Sequence, residues 1–435
     1  MVRPGFSSTL AEWLAYLETL HPKPIAMGLE RVAEVATRIG VRVDCPVITV
    51  AGTNGKGSTC AMLESIYRRA GYRTGLYTSP HLVRFNERVR IAGAEVDDAT
   101  LTAALTEVEA ARSGEPGQVS LTYFEFSTLA ALRVFAAAGL DVLVLEVGLG
   151  GRLDAVNIVD ADVAVITTID IDHVEYLGST RDAIAREKAG IMRSGRIAIC
   201  GDPDPPRTLV ERAREIGAPL WRIGHEYRYR VEGLQWRYEG PRGARYGLPH
   251  PALRGRYQLA NAATVLAALD ALHAKLPVQG GALRDGLVGV ELAGRFQVLP
   301  GRPAAVLDVA HNPHAARALA ATLDAMGRFP RTFAVFGMLA DKDVDGVIAA
   351  LAPCIDVWHV APLPGPRGAK AGELAERLVA AGVAQDAVWI FADVAQAWRA
   401  ATDAAGEADR IAAFGSFLTI AAVLAVIGER TGPAA

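Results

Sequence analysis

The chain has 435 residues, 51% of them hydrophobic and 21% charged, and its formal net charge is −3. This length suggests two or three domains, and the near balance of basic and acidic residues argues against a nucleic-acid groove over much of the surface. Four well-separated cysteines without a C-x-x-C pair argue against disulfides and a zinc site. Neither a signal peptide nor an apolar run of about 20 residues is visible, so we expect a cytoplasmic protein.

The first chemically informative stretch follows two predicted helices, over residues 7–20 and 27–39. Residues 47–58 read V-I-T-V-A-G-T-N-G-K-G-S, so a short apolar strand opens into a glycine-rich turn with one lysine, and apolar residues then recur at helical spacing. Glycines let backbone N–H groups approach a phosphate, a lysine reaches its oxygens, and the start of a helix favours its charge. The stretch therefore predicts a phosphate-binding loop.

This loop departs from the standard pattern G-x-x-x-x-G-K-[ST]. Val50 stands where the first glycine belongs, Gly57 replaces the hydroxyl residue, and Ser58 comes one place late. A chain with 43 glycines also produces glycine-lysine turns by chance. The flanking strand and helix favour the phosphate-binding interpretation over that alternative.

Polar residues follow the next predicted strand and begin the next helix. A strand over residues 73–78 ends in Ser79-Pro80-His81, and ligands bind at the carboxyl ends of strands in open α/β sheets. Thr122 and Glu125 form a capping-box pattern that starts a helix running to about residue 138. Residues 27–30 either contact a ligand or merely begin the second helix, and composition does not decide between these alternatives.

The strand predicted over residues 141–147 is a continuous apolar run, typical of a parallel strand covered on both faces, yet it contains Glu146. A buried carboxylate is costly unless it is paired, protonated or bound to a metal. Magnesium prefers carboxylate and water oxygens beside phosphates, so we favour a magnesium ligand over a structural salt bridge. The loop 148–157 combines three glycines with arginine, aspartate and asparagine, which suits contact with a ligand.

Another parallel strand, over residues 163–167, leads into a loop that contains His173. By spacing alone this histidine is a hydrogen-bonded loop residue more readily than a ligand. It nevertheless lies just beyond the carboxyl end of a strand. Ser58, Ser79, Glu146 and His173 are therefore predicted to share one edge of the sheet.

Three other stretches have an ordinary structural interpretation on sequence grounds. Lys188 reads as a solvated helix lysine, and Asn261 as a residue that satisfies the first turn of a long helix ending near residue 274. Residues 222–245 alternate apolar with charged side chains and predict a hairpin with a solvated basic face.

A second alternating series of strands and helices begins near residue 298 and predicts a separate α/β domain. Its predicted strands cover residues 304–308, 332–337, 355–360 and 411–414. The first ends in D-V-A-H-N-P from Asp308, which places an acid and a histidine at the carboxyl end of a strand. The alternative is that this motif only starts a helix, with Asn312 as its cap before Pro313. The predicted fold class is α/β, with an N-terminal P-loop ATPase-type domain of mainly parallel sheet (1–296) and a smaller C-terminal Rossmann-like domain (297–435).

Six motifs, taken in order, resemble those of the bifunctional dihydrofolate synthase/folylpolyglutamate synthase enzymes of the Mur ligase superfamily. The resemblance covers nearly the whole chain, and the late position of Ser58 is the form that this family uses. The motifs are G-T-N-G-K-G-S from Gly52, T-S-P-H from Thr78, E-V-G-L-G-G-R-L-D from Glu146, D-H from Asp172, G-R-F from Gly294 and D-V-A-H-N-P from Asp308.

The resemblance implies roles for individual residues. ATP would contact Gly52, Thr53, Asn54, Gly55, Lys56, Gly57, Ser58, Asn261, Arg295 and Asp308. Two magnesium ions would be held by Ser58, Ser79, Glu146 and His173. The pterin and its benzoyl extension would contact Met27, Gly28, Leu29, Glu30, Thr122, Tyr123, Phe124, Glu125, Leu153, Asp154 and Ala155, and Phe124 offers a stacking face. His311 and Ser416 resemble positions near the incoming glutamate. The implied catalytic residues are Lys56, Lys188 and His311, and Lys188 looks like the lysine that the family carbamylates.

The activity that the resemblance implies is ATP-dependent addition of L-glutamate to dihydropteroate and to reduced folates through an acyl phosphate. The implied partners are dihydropteroate or a reduced folate, L-glutamate and ATP, with no nucleic acid and no membrane, and the enzyme is expected to be a monomer. Three alternatives are a folylpolyglutamate synthase without the dihydropteroate activity, a P-loop GTPase switch and a catalytically silent nucleotide sensor. The chain has no Asn-Lys-x-Asp guanine motif.

Overall fold

The computed structural model describes residues 3–5, 7–21, 25–115 and 117–431. The chain divides into two compact units, the first formed by Met1–Ala252 with Ala260–Val290 and the second by Leu253–Leu259 with Glu291–Ala435. The sequence-based boundary after residue 296 falls a few residues inside the second unit, and the functional identity of the two domains stays a prediction. Among the described residues, no helix combines the length and the apolar character that crossing a bilayer needs.

An eight-stranded sheet forms the centre of the first unit. Its strands are β1 (Val47–Ala51), β2 (Thr74–Tyr77), β3 (Val89–Ile91), β4 (Ala94–Glu95), β5 (Val142–Glu146), β6 (Val163–Ile166), β7 (Ile197–Cys200) and β8 (Leu220–Arg222). The order across the sheet is β4-β3-β2-β5-β1-β6-β7-β8. In this order, every neighbouring pair from β2 across β5, β1, β6 and β7 to β8 is parallel. Strand β3 runs antiparallel to both of its neighbours, β2 and β4. The carboxyl ends of β2, β5, β1 and β6 therefore lie side by side.

Helices cover this sheet. They are α1 (Leu10–Leu17), α2 (Glu30–Arg38), α3 (Lys56–Arg69), α4 (Asp98–Ser113), α5 (Tyr123–Ala137), α6 (Val174–Leu177), α7 (Arg181–Lys188), α8 (Arg207–Ile216), α9 (Tyr257–Leu272) and α10 (Gly280–Val288). Every residue of β1, β5 and β6 is buried, which explains their continuous apolar sequences. Short 3₁₀ turns at Phe85–Arg88 and Ala155–Ile158 follow two of the strands.

The hairpin predicted over residues 222–245 is present within a three-stranded antiparallel sheet. The strands are β9 (Arg228–Glu232), β10 (Gln235–Gly240) and β11 (Gly243–Pro249). The central strand buries Trp236 and Tyr238, and the Tyr238 hydroxyl donates to Asp270 of α9 at 2.9 Å. The predicted hairpin is thus present as β9 and β10, and the sequence did not predict β11, which pairs with the other side of β10.

The second unit contains a six-stranded sheet in the order β12-β13-β17-β14-β15-β16. Its strands are β12 (Gln297–Leu299), β13 (Ala304–Leu307), β14 (Thr332–Phe336), β15 (Val357–Val360), β16 (Val388–Ile390) and β17 (Arg410–Phe414). All pairs are parallel except β12 with β13. The accompanying helices are α11 (Pro313–Ala325), α12 (Val344–Leu351), α13 (Ala371–Ala380), α14 (Val394–Ala404) and α15 (Phe417–Thr431). The predicted α/β fold class is confirmed, and the four strands predicted here are all present.

Candidate active site

The predicted phosphate-binding loop joins the carboxyl end of β1 to the start of α3. Gly52 (φ 156°) and Gly55 (φ 87°) have backbone conformations that other residues rarely adopt. A Cβ on Gly52 would lie 1.8 Å from Thr167 Oγ1, and one on Gly55 would lie 2.8 Å from Asn261 Oδ1. Both positions therefore require glycine, and the loop lies directly against Asn261 of α9.

Two threonines that follow β6 hold this loop in place. The Thr53 N–H donates to the Thr168 carbonyl at 2.8 Å, and the Asn54 N–H donates to Thr168 Oγ1 at 3.0 Å. Thr167 Oγ1 in turn donates to the Asn54 carbonyl at 2.6 Å. Sequence reasoning missed both threonines, and the signal that could have found them is a Thr-Thr pair directly after an apolar strand.

Lys56 is the first residue of α3, and its ammonium group bends back over the loop. Nζ donates to the carbonyls of Gly52 at 2.9 Å and Thr53 at 3.3 Å. Gly57 and the buried Ser58 complete the first turn of the helix. A cation and the N-terminus of a helix in one place favour an anionic ligand.

Glu146 and Ser79 meet at the ends of neighbouring strands. Glu146 is the last residue of β5, is only 4% exposed, and accepts a hydrogen bond from the Ser79 N–H at 3.2 Å. Ser79 follows β2, which pairs directly with β5. The structure thus brings these two predicted residues together at the edge where the phosphate-binding loop begins.

His173 lies in the loop after β6, at the start of α6, with a left-handed backbone (φ 52°). Its Nε2 is 3.9 Å from Asp172 Oδ2, and about a third of its side chain is exposed, 34%. Within the described ranges, no three His, Cys, Asp or Glu side chains are grouped to hold a metal ion. The predicted ligand set contains one carboxylate, one imidazole and two hydroxyls, and such a sparse, oxygen-rich set fits magnesium, which retains water ligands beside phosphates.

Lys188 ends α7 and is buried, with 3% of its surface exposed. The interpretation as a solvated surface lysine was wrong, because the helix turns this side chain into the first unit. Burial, reinforced by the positive charge of Lys56, lowers the pKa of Lys188 to about 7, while Asp172 and Asp154 act in the opposite direction. A buried amine of this kind is uncharged in a substantial fraction of molecules near neutral pH.

Asp154 organises the glycine-rich loop after β5. Its carboxylate accepts hydrogen bonds from the N–H groups of Leu149 at 2.8 Å and Val156 at 3.1 Å, and so caps the turn that contains Ala155. Burial raises the pKa of Asp154 to about 6. The neighbouring Leu153 is half-buried. The carboxylate of Asp154 therefore shapes the predicted substrate-binding loop from within.

The two other predicted substrate segments are tied together by an ion pair. Glu125 and Thr122 form the predicted capping box at the start of α5, and Glu125 Oε1 also lies 2.6 Å from the guanidinium of Arg31. Arg31 belongs to the first turn of α2 and donates as well to the Ala26 carbonyl at 2.9 Å. Glu125 is thus a structural link between residues 27–30 and 122–125, and Arg31 is a residue that sequence reasoning missed.

Two further residues of these segments, Phe124 and Met27, lie against the same loop. The ring of Phe124 would lie 2.6 Å from a Cβ on Gly148, so only glycine at position 148 lets this ring approach the loop. The centres of the Phe124 and Tyr77 rings are 6.2 Å apart. Met27 lies beside Gly150, close to where a Cβ would stand. In the same region Gly28 is buried, Leu29 is half-buried and Glu30 is exposed.

The second unit places two predicted residues, Asp308 and Ser416, at the carboxyl ends of adjacent strands. Asp308 follows β13 and accepts hydrogen bonds from the N–H groups of Phe296 and Ala310, both at 2.8 Å. Burial raises the pKa of Asp308, against the opposing effect of Arg295. Ser416 follows β17, and the Gly415 N–H donates to the Ala310 carbonyl at 3.0 Å.

His311 and Arg295 flank the same aromatic ring. His311 Nδ1 is 2.9 Å from the Val309 carbonyl, which can only accept, so Nδ1 is the donor of this contact. The His311 ring is 6.2 Å from the ring of Phe417, and the Arg295 guanidinium is 4.9 Å from it. Asn312 caps α11 through the Ala315 N–H, as the structural interpretation of that residue predicted.

Comparisons with known proteins agree with this architecture. The model of the Mur ligase middle domain matches residues 50–269, and that of the Mur ligase glutamate ligase domain matches residues 294–417. The dihydrofolate synthase/folylpolyglutamate synthase of Escherichia coli (strain K12) is 50% identical over 98% of this chain and 97% of its own length. The protein of that name from Mycobacterium tuberculosis is 33% identical over 92% of this chain and 91% of its own length.

Solved structures are similar along the same length. E. coli FolC in complex with DHPP and ADP superimposes with a TM-score of 0.92 at 50% identity, covering 98% of this chain and 100% of that one. The bifunctional folylpolyglutamate synthase/dihydrofolate synthase of Yersinia pestis, complexed with AMPPNP and Mn ion, gives a TM-score of 0.90 at 47% identity, with coverage of 98% and 100%.

Proposed function

Because the chain belongs to the dihydrofolate synthase/folylpolyglutamate synthase family of the Mur ligases, we propose that it joins L-glutamate to dihydropteroate and to reduced folates at the expense of ATP. It is an ATP-dependent amide ligase. The observation that carries the proposal is the glycine-dependent loop of Gly52–Ser58, clamped by Thr167 and Thr168 at the sheet edge where Ser79 contacts Glu146.

The chemistry follows from the poor reactivity of a carboxylate. A carboxylate oxygen takes the γ-phosphoryl group of ATP, which releases ADP and leaves an acyl phosphate. The amine of L-glutamate then attacks the acyl carbon, the C–O bond to phosphate breaks, and the amine loses a proton. We assign Lys56 and Arg295 to the stabilisation of charge on the transferred group. We assign His311, which would lie near the incoming glutamate, to accept the proton of the amine.

Magnesium is the metal that we propose for this edge. Ser58, Ser79, Glu146 and His173 would hold two ions, with water and phosphate oxygens completing their coordination. The ions would supply positive charge that neutralises the phosphate oxygens. The Mn ion and AMPPNP of the Yersinia pestis structure support a divalent metal beside nucleotide.

We further propose that Lys188 is carbamylated. Its neutral amine would add to carbon dioxide, forming an N–C bond and releasing one proton, and the product is an oxygen-bearing anion. The low exposure of Lys188 and its pKa of about 7 support this step, because only the uncharged amine reacts. An anion here would replace a cation that Lys56 repels.

The substrate would lie along residues 27–30, 122–125 and 153–155. The position of Phe124 beside Gly148 supports a stacking role for this ring, and Asp154 supports the loop that would enclose the pterin. His311 and Ser416 are proposed to lie near the incoming glutamate. We expect the enzyme to act as a monomer in the cytoplasm.

One assay tests the function and its alternatives. ADP release is measured with ATP, L-glutamate and either dihydropteroate or tetrahydrofolate, and the product is identified by mass. Glutamate-dependent ADP release with both acceptors is expected. Release with tetrahydrofolate alone would show a folylpolyglutamate synthase without the dihydropteroate activity, and nucleotide binding without amide formation would support a switch or sensor.

A further inference from the structure

Arg88 is a buried cation whose terminal amino groups have no anionic partner in the part of the chain that the structure describes. The residue is 8% exposed and ends the 3₁₀ turn after β2. Its Nε donates to His81 Nδ1 at 2.8 Å, which is the only hydrogen bond of its side chain within residues 3–5, 7–21, 25–115 and 117–431. An arginine stays charged in proteins, and burying a charge without a counter-ion is costly.

The nearest carboxylate in sequence does not compensate this charge. Glu87 directs both of its oxygens to backbone N–H groups, accepting from Leu82, Val83 and Arg84 at 2.6 to 2.7 Å. That carboxylate therefore caps the turn in which Arg88 lies. The two terminal amino groups of Arg88 are left for another acceptor.

Two aromatic rings fix the direction of the guanidinium. Its carbon lies 5.4 Å from the centre of the Phe85 ring and 5.6 Å from that of Tyr123. Contacts of this kind orient an arginine without neutralising it. Tyr123 is adjacent in sequence to Phe124, within the segment assigned above to the pterin and its benzoyl extension.

The backbone of Arg88 is anchored beside the metal-binding edge. Its carbonyl accepts a hydrogen bond from the Thr78 N–H at 3.0 Å, and the next residue, Ser79, contacts Glu146. The side chain thus begins next to the proposed phosphate and metal side and ends at the proposed substrate side. The acid group of the acceptor substrate has to reach this region for phosphoryl transfer.

We propose that Arg88 binds a carboxylate of the dihydropteroate or folate substrate through its terminal amino groups. The planar guanidinium fork matches the two oxygens of a carboxylate. This inference rests on the proposed function. Dihydropteroate carries one carboxylate, the one that is activated, whereas a reduced folate with one glutamate also carries an α-carboxylate.

Ligands that differ only in charge test the proposal. Equilibrium binding is measured for pteroate and its carboxamide, and for tetrahydrofolate and its α-amide, with the parent protein, R88Q and the control R84Q. Arg84 lies in the same segment, but its side chain is 62% exposed. The parent and R84Q should prefer one carboxylate over its amide by about ten- to a hundredfold, and R88Q should lose that preference.

The ligand pair that responds identifies the carboxylate. Loss of preference with pteroate assigns the activated group, and loss only with tetrahydrofolate assigns the α-carboxylate. The proposal is overturned if R88Q keeps both preferences, or if it weakens acids and amides equally, because a purely structural role would not distinguish the charge of the ligand. If R88Q fails to fold, R88K takes its place, and a reduced preference is expected because its ammonium lacks the fork.

Turnover by the parent protein separates this inference from the proposed function. If the parent forms amide products but the preference does not depend on Arg88, only the assignment of Arg88 fails. If the parent binds no pterin ligand and releases no ADP with either acceptor, the ligase function fails, and the role of Arg88 fails with it.

Discussion

Two lysines at the candidate site experience opposite environments. The Lys56 ammonium donates to two loop carbonyls at the start of a helix. These neutral acceptors do not balance its charge, and a phosphate would do so. Lys188 is enclosed and disfavours its own charge. The same residue type is therefore suited to anion binding at one position and, as proposed above, to chemical modification at the other.

Replacing Lys56 by alanine should abolish most turnover while leaving the fold intact. The side chain is partly exposed and its main role is with phosphate, so we expect amide formation to fall by about a hundredfold or more, and the free energy of unfolding to change by less than about 1 kcal/mol. Product formation and urea unfolding measure the two effects. K275A, which removes an exposed lysine, is the control, and a normal rate in K56A would contradict the phosphate-binding interpretation.

Glu146→Gln should reduce magnesium-dependent activity more than it reduces stability. The amide fills the same space and keeps an oxygen for the Ser79 N–H, but it cannot neutralise a cation. Activity is measured across a magnesium titration, and a higher metal requirement is expected. A variant that fails to fold, together with a parent whose unfolding does not respond to magnesium, would instead support a structural role for Glu146.

Lys188→Ala should lose most activity, and a short-chain carboxylic acid should restore part of it by occupying the space of the carbamate. In the parent freed of carbon dioxide, recovery at a fixed concentration of dissolved carbon dioxide should be faster at pH 8 than at pH 6. The reason is that the amine, with a pKa lowered to about 7, loses its proton as the pH rises through that value. Intact mass measured without acid treatment should show one added carbon dioxide. Full activity of the alanine variant would exclude this role.

At the scale of secondary-structure elements, α2 and α5 carry separate parts of the proposed pterin site. The Arg31–Glu125 ion pair links their first turns, with Glu125 almost fully buried and Arg31 partly exposed. Without this ion pair, the substrate segment at the start of each helix could shift relative to the other. The ion pair is therefore a positioning contact rather than a chemical one.

Arg31→Gln should raise the KM for dihydropteroate by about tenfold and leave the KM for ATP unchanged, because the loop of Gly52–Ser58 does not depend on this contact. Steady-state kinetics with each substrate varied in turn provides the measurement. R133Q, which removes an exposed ion pair between Arg133 and Glu107, should behave as the parent does. Equal changes in both KM values would show a general loss of structure instead.

At the scale of the whole molecule, each unit has its own mainly parallel sheet with predicted ligand-binding residues at the carboxyl ends of its strands. In the first unit these ends carry the phosphate-binding loop, Ser79 and Glu146, and in the second they carry Asp308 and Ser416. Parallel topology produces this arrangement in both units. Each crossover returns the chain to the edge where the strands begin, so their carboxyl ends all lie at the other edge.

A non-hydrolysable ATP analogue with magnesium should stabilise the protein against thermal unfolding. A ligand that binds only the folded state contributes about 2.7 kcal/mol at a hundred times its Kd, which corresponds to several degrees in Tm. Differential scanning calorimetry measures the shift. K56A should show most of the shift lost at the same nucleotide concentration, and an equal shift in both proteins would place the nucleotide elsewhere.

The amino-acid sequence by itself determined many of the elements and the order of the motifs. Apolar runs and glycine-rich turns are local patterns, so they identified β1, β2, β5 and β6 of the first unit and four strands of the second, the loop that begins at Gly52 and the helix starts at Thr122 and Asn312. The parallel topology then implied that Ser79 and Glu146 share an edge, and the structure places them in contact. The hairpin predicted within residues 222–245 is present as β9 and β10, whereas β11 was not predicted, because it depends on pairing with β10 rather than on its own pattern.

Only the tertiary structure decided the environments of individual charges. Lys188 appears in the sequence as an ordinary helix lysine, and its burial follows from how α7 packs. The Arg31–Glu125 ion pair joins residues 94 positions apart, and the clamp of Thr167 on Asn54 joins residues 113 apart. The exposure of a side chain and its distance to other charges depend on which distant segments pack around it, and no local pattern of residue types contains that information.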